Sequence, residues 1–245
     1  NMSSTNVLKR DGTTEELNLD KVHKMVEFAV EGLAGVSASQ VEIQSGLQFC
    51  DGIKSSDIQE ILIRSASDLI SEEHPNYQYV AARLLLFGLR KAVHGHPEIL
   101  PPLLEHIKGC VDKGVYDGTI VNRYSEEEWD RINSFVEHER DYLFTYAGLR
   151  QVVDKYLVQD RSTGKHYESP QQMYIMIAAT LFANYPTETR LDYVRRYYNA
   201  ISTHKINIPT PIMAGVRTPI RQFASCVLVD IDDTLDSIFS SDMAI

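Results

Sequence analysis

Two short strand-like runs, residues 7–9 and 13–17, flank Arg10-Asp11-Gly12. Asp-Gly between such runs is a hairpin signal, so a small β-cap is expected at the start. The hydrophobic pattern then turns helical. Asp20 can cap a helix running to about Glu31, while Ser37 with Gln40 and Ser56 with Gln59 have capping-box spacing, which satisfies orphan helix amides. Ile58, Leu62 and Leu69 share one helical face, and Val80, Leu84 and Phe87 recur at compatible spacing within residues 77–93. Helices under a hairpin follow.

His94-Gly95-His96-Pro97 and Pro101-Pro102 interrupt this pattern, because proline lacks a backbone donor and glycine is a poor helix former. A domain boundary is placed there, giving expected domains at 1–95 and 96–220. In the second, residues 103–113, 125–138 and 142–157 read as helices, with Ser125 and Glu128 as another capping box. Residues 156–159 and 165–168 around 160–164 suggest a second hairpin. Ser169 as cap, Pro170 at the first helical position and Gln172 start a strongly signalled helix, continued by apolar residues 173–182. Another helix is expected over 187–203, then a proline-interrupted extended stretch over 206–211 where regular helix ends. Residues 223–230 read as a buried strand, followed by an acidic turn and a helix reaching Ile245. A strand and helix without partner strands suggest the first unit of a larger α/β domain, residues 221–245.

Composition narrows the class. With 43% hydrophobic and 24% charged residues, and no apolar run near the roughly 20 residues that cross a bilayer, no membrane span is expected. The first six residues lack the features of a signal peptide, so a cytoplasmic location is the expectation. A formal charge of −10 disfavours direct DNA binding and leaves small anions to local basic sites. Cys50, Cys110 and Cys226 are odd in number and far apart, against a disulfide framework or a paired-cysteine zinc site.

Lys9, Arg10, Lys21 and Lys91 could gather around a polyphosphate, since their donors suit phosphate oxygens. Without a glycine-rich phosphate loop, their spacing alone favours scattered solvated basic residues. By itself Cys226, in an apolar strand, is a small buried hydrophobe, and Asp233 an acidic helix cap.

A resemblance changes this reading. Val7-Leu-Lys-Arg-Asp-Gly12, Leu19-Asp-Lys-Val22, Asp51-Gly-Ile-Lys-Ser-Ser-Asp-Ile58 and Tyr77-Gln-Tyr-Val-Ala-Ala-Arg83 closely resemble the ATP-cone domain of class Ia ribonucleotide reductase large subunits. By matching position, the resemblance implies that Lys9, Arg10, Lys21 and Lys91 face phosphates. Glu15, Asn18 and Ser55 then bind polar parts of the nucleotide, with Val7, Ile58, Leu62 and Phe87 around its base or ribose. Gln59 stands where many relatives have histidine; an amide has different donors and no titratable charge, which bears on ATP-versus-dATP switching.

The likeness continues through Glu139-Arg-Asp141, Lys155-Tyr-Leu-Val158 and Tyr167-Glu-Ser169, whose aromatics and arginines read as packing residues. It is sharpest at Pro209-Thr-Pro-Ile-Met-Ala-Gly-Val-Arg-Thr-Pro219 and Arg221-Gln-Phe-Ala-Ser-Cys-Val-Leu228, which look like the approach to the reductase's ten-stranded α/β barrel. The implied fold is α+β and mainly helical: an ATP cone with a β-cap over a helix bundle, a helical linking domain, and the first strand-helix unit of an incomplete barrel. Cys226 matches the first of two redox cysteines, Thr210 and Ser225 match substrate-pocket positions, and Asp233, Thr234 and Leu235 match the start of the specificity-effector site. Cys50 and Cys110 match no catalytic position and read as structural.

The implied activity is reduction of ribonucleoside diphosphates to deoxyribonucleoside diphosphates by thiyl-radical chemistry, shared with missing parts. The implied partners are the remaining carboxyl-terminal part of the large subunit, a second large subunit, thioredoxin or glutaredoxin, and a small subunit holding the di-metal and tyrosyl-radical cofactor. No cofactor is expected to be covalently bound; ATP or dATP, with magnesium, is the expected effector. A shortened chain and a naturally split subunit both fit the ending. The alternative is a non-enzymatic ATP-responsive regulatory module, because similar cones occur in transcription regulators.

Overall fold

The hairpin signal at the start is met by β1 (Asn6–Leu8) and β2 (Thr14–Glu16), antiparallel with Val7 opposite Glu15. Gly12 lies at φ 84, a left-handed conformation that costs glycine little, and its amide donates to the Lys9 carbonyl as the chain reverses. The Asp11 carboxylate accepts from the amide and hydroxyl of Thr13, which steadies the turn. A third strand, β3 (Ile53–Lys54), pairs parallel with β1 and makes it the centre of a three-stranded sheet. β3 has no signature in the sequence, because a two-residue strand carries no period. The computed structural model describes residues 6–9, 11–46 and 52–219. The expected strand at 223–230, and with it the expected barrel unit at 221–245, lie outside the described residues.

Helices α1 (Leu19–Val30), α2 (Ala38–Gly46), α3 (Ser55–Asp68) and α4 (Tyr77–His94) follow along the chain. Asn18, not Asp20, caps α1, its side-chain oxygen accepting from the amides of Asp20 and Lys21. The expected cap at Ser56 is also corrected. Helix α3 starts at Ser55 after Lys54, without a side-chain cap, and Gln59 bonds the Leu84 carbonyl instead of closing a box. Arg83 of α4 donates to the carbonyls of Ala29 and Glu31, satisfying the end of α1. Val26, Leu62, Val80 and Leu84 are fully buried, as the helical period of their apolar positions requires.

The chain divides into two compact units: one runs to Lys91 and includes Tyr142–Gln151, the other contains Ala92–Asp141 and the chain from Val152 onward. The first division falls between Lys91 and Ala92, close to the expected boundary at 95, and Tyr142–Gln151 also belongs to the first unit. Tyr142 explains this, because its ring meets Phe87 edge-on and lies under the guanidinium groups of Arg83 and Arg90.

In the second unit, α5 (Leu103–Asp112), α6 (Glu126–Phe135), α8 (Pro170–Phe182) and α9 (Arg190–Ser202) form the frame. Residues 170–179 of α8 are buried all round, which marks it as the central helix. The Ser125–Glu128 capping box is present, and Glu128 also receives two hydrogen bonds from Arg190 of α9. The helix expected at 142–157 is broken into a 3-10 turn (His138–Leu143), α7 (Tyr146–Gln151), which belongs to the first unit, and a π-helical turn (Val152–Tyr156) of the second. Side chains of the short hairpin β4 (Gln159–Asp160) and β5 (Lys165–His166) bond the carbonyl of Val153, while Arg161 reaches those of Asp154 and Lys155. The wider turn therefore has partners for its carbonyls. The stretch expected to stay extended over 206–211 ends in α10 (Thr210–Gly215), with Pro211 in its first turn where no amide donor is needed. No helix among the described residues is long and apolar enough to cross a membrane.

Candidate functional site

The described residues expected to bind a nucleotide effector are carried by β1, β2 and the helices α1, α3 and α4 of the first unit. Val7 is buried in the central strand, beside Ile53 of β3 in register, and Ile58, Leu62 and Phe87 are buried on α3 and α4. Phe87 also packs against Phe28, with ring centroids 5.2 Å apart. The polar candidates lie at element ends. Lys9 follows β1, Glu15 lies on β2, Asn18 caps α1, Lys21 is in its first turn, and Ser55 begins α3. Lys91 lies exposed near the end of α4. Arg10 lies outside the described residues.

Lys9 and Glu15 form an ion pair at 2.7 Å with side chains 36% and 55% exposed. The hydrogen bond from Lys9, followed by the charges of Lys9 and Lys21, holds the Glu15 carboxyl below its ordinary range. Water screens such a pair, so the Lys9 ammonium can exchange its carboxylate partner for a phosphate at little cost. Asn18 already uses its carbonyl oxygen as the α1 cap, leaving its amide nitrogen as a donor.

Gln59 is placed differently from an open ligand-facing amide. Its Nε2 donates to the Leu84 carbonyl, and its side chain crosses α4 at Gly88, where a Cβ would come within 2.8 Å of Gln59 Cγ. Gly88 thus allows α3 and α4 to be joined through Gln59. A glycine inside a helix is the available sequence signal for such a close approach.

In the second unit, Thr210 is exposed at the start of α10, its Oγ1 3.4 Å from the Tyr156 hydroxyl. Ser225, Cys226, Asp233, Thr234 and Leu235 lie outside the described residues, as does Cys50. Cys110 is buried on α5, and burial followed by the nearby Glu168 charge pushes its thiol up to about 12. Its thiol is therefore held in the protonated form.

The larger omission of sequence reading is a buried polar group around Glu168 and Arg217, both with no exposed side-chain surface. Tyr116 donates to Glu168 at 2.5 Å, and His106 Nε2 meets the Tyr116 hydroxyl at 2.9 Å. Burial alone would raise the Glu168 carboxyl, but the Arg217 charge and its hydrogen bonds more than reverse that. Burial pushes His106 down to about 3, so it is neutral. Glu168 and Arg217 both fall within motifs carrying the family likeness, yet 49 positions separate them and no periodicity links them.

An ATP cone domain model matches residues 5–92, and the model of the ribonucleotide reductase all-alpha domain matches residues 142–221. The chain is 54% identical over 239 residues to the ribonucleoside-diphosphate reductase subunit alpha of Haemophilus influenzae, covering 98% of this chain and 32% of that protein. It is likewise 54% identical to the Escherichia coli ribonucleoside-diphosphate reductase 1 subunit alpha, covering 98% of this chain and 31% of that one. The subunit alpha of Enterobacteria phage T4 is 43% identical, over 97% of this chain and 31% of its own length. The chain spans about a third of the length of these relatives. None of these matches supports the reading as a separate regulatory module.

Proposed function

Because the chain belongs to the ribonucleotide reductase alpha-subunit family, of which it carries the ATP cone and the all-alpha domain, we propose that it supplies the effector-binding domain and one wall of the active site for reducing ribonucleoside diphosphates. The observation that carries this reading is the ordered match of both domains, with 54% identity across nearly the whole chain.

In the cone, Lys9, Arg10, Lys21 and Lys91 hold the triphosphate of ATP or dATP, and any magnesium arrives with the nucleotide. Val7, Ile58 and Phe87 supply the apolar surface for base or ribose, with Leu62, fully buried on α3, supporting it from the core; Glu15, Asn18 and Ser55 supply polar contacts. Gln59 acts by holding α3 against α4 rather than by titrating. Effector binding is expected to stabilise the cone in proportion to ligand saturation.

At the active site, Thr210 and Ser225 orient the substrate and Cys226 is one of two reducing thiols, the second belonging to the remaining part of the large subunit. The two thiols release two electrons and two protons as their sulfur–sulfur bond forms. The ribose carbon–oxygen bond breaks, the 2′-hydroxyl leaves as water, and hydrogen takes its place. Thioredoxin or glutaredoxin then returns the disulfide to thiols by exchange. The radical starting the reaction comes from the small subunit's di-metal and tyrosyl-radical centre, and its acceptor cysteine lies in the remaining part. Asp233, Thr234 and Leu235 open the specificity site, whose other residues also lie there.

The chain is mixed with the remaining large-subunit segment and the small subunit, and dithiol-dependent reduction of cytidine diphosphate is followed. Activity is expected with the natural chain and is lost with Cys226→Ser. Full activity of the serine variant would remove Cys226 from the chemistry. For the effector site, a charged hydrogen bond contributes roughly 1.5–3 kcal/mol, so Lys9→Ala or Lys91→Ala should weaken ATP binding about tenfold or more. Unchanged calorimetric affinity in both would overturn the phosphate assignment.

A further inference from the structure

Helix α10 has six residues, too few to hold itself, and carries Thr210 at its start. Arg217, just beyond its other end, connects three pieces of backbone. Its Nε donates to both Glu168 oxygens at 3.0 and 2.9 Å, and its Nη2 donates to Glu168 Oε1. Nη2 also donates to the Tyr156 carbonyl at 3.0 Å, and Nη1 donates to the Met213 carbonyl inside α10 at 2.5 Å. The Arg217 carbonyl accepts from the Asp117 amide at 3.0 Å. Glu168 is fixed in turn by the Tyr116 hydroxyl and the Val158 amide.

Tyr156 meets α10 twice. Its carbonyl is held by Arg217, while its hydroxyl reaches Thr210 Oγ1. Both ends of the short helix are therefore referred to one residue of the π-helical turn. Stability is a weak reason for such an ion pair, because well-packed apolar residues of similar volume often replace a buried pair without loss. Apolar residues would fill the space but would not select one rotation of α10. A guanidinium, with five donors in a rigid fork, does.

We propose that Arg217, braced by Glu168 and Tyr116, is the positioning residue for α10 and sets Thr210 for the substrate by way of Tyr156. The inference rests on the reading that Thr210 lines the substrate pocket. Neither Arg217 nor Glu168 touches the nucleotide in this scheme; both act through the backbone they hold.

Two variants test it in the assembled reductase and in the chain by itself. Arg217→Lys keeps the charge but cannot reach Glu168, Tyr156 and Met213 together, and Tyr156→Phe removes the hydroxyl link to Thr210 while keeping the ring. Both should raise KM for cytidine diphosphate, about tenfold and severalfold respectively, with kcat within twofold and ATP binding by the cone unchanged. In hydrogen exchange on the chain alone, Arg217→Lys should lose protection at the amides of Met213 and Val216 and keep it in α8. A merely structural loss would lower kcat through the folded fraction and leave KM alone. Unchanged KM in both variants, or unchanged protection at Met213 and Val216, overturns the proposal. If Arg217→Lys does not fold, the KM of Tyr156→Phe decides. An inactive natural assembly would sink the functional reading instead, while hydrogen exchange would still decide whether Arg217 holds α10.

Discussion

Two ion pairs of similar chemistry serve opposite ends. Lys9–Glu15 in the cone is open to water on both sides, whereas Arg217–Glu168 in the helical unit has no exposed surface and hydrogen-bonds four further groups among the described residues. Water makes the first pair weak and exchangeable, which suits the proposed phosphate contact of Lys9. Burial makes the second pair costly unless every donor and acceptor is satisfied, and once satisfied it holds one geometry. The same residue types can thus form a ligand-binding surface or a frame, and desolvation separates the two.

The sharpest way to break the comparison is to remove one member of the buried pair. Arg217→Met leaves Glu168 buried without its counter-charge and should destabilise the helical unit by about 3–5 kcal/mol. Adding Glu168→Leu should recover much of that loss in urea unfolding. If the single variant is as stable as the natural chain, the pair does not hold this unit together.

A somewhat smaller effect comes from pH. His106 titrates at about 3 in the folded unit instead of near 6.5, so unfolding takes up a proton between those values. Stability is complete above about pH 6.5 and falls below it, by up to roughly 1.4 kcal/mol per pH unit. The depressed Glu168 carboxyl adds a separate loss at lower pH, below its unfolded value of about 4.3 and through its lowered folded value. Melting temperatures should drop from pH 6.5 to 5, and His106→Gln should flatten the slope. A natural chain with no slope in that window would show that His106 is protonated in the fold.

Asn18 sits between the two regimes, since it caps α1 and stands among the nucleotide candidates. Asn18→Ala should cost about 1 kcal/mol of cone stability. Asn18→Asp should keep the cap yet weaken ATP binding by adding negative charge near the phosphates. Equal ATP affinity in Asn18→Asp would remove Asn18 from the site. The smallest effect on stability is expected for Lys9→Ala, whose melting curve without nucleotide should overlay that of the natural chain, while the rise on adding ATP shrinks. A lower melting temperature without nucleotide would show that the exposed pair has a structural role after all.

Local signals were legible where the chemistry is local. Asp11-Gly12 announced the hairpin, Ser125 with Glu128 the start of α6, and Pro170 the start of α8, because turns and caps are decided within a few residues. Asn18 and Asp20 both suit the α1 cap by residue type, and only the backbone angles select Asn18. The cone domain itself was legible through ordered motifs, and its model matches residues 5–92. The partner of Gln59 was not, because a carbonyl 25 residues away leaves no trace in spacing.

The sequence by itself determined the helical and strand periods, the caps, the acidic charge and the family to which both domains belong, since these follow from residue type and order. Tertiary structure decided that Tyr142–Gln151 returns to the cone, that 206–211 ends in a helix, and that Glu168 meets Arg217. Those outcomes depend on which groups far apart in the chain lose their water together, and desolvation is a property of the packed fold.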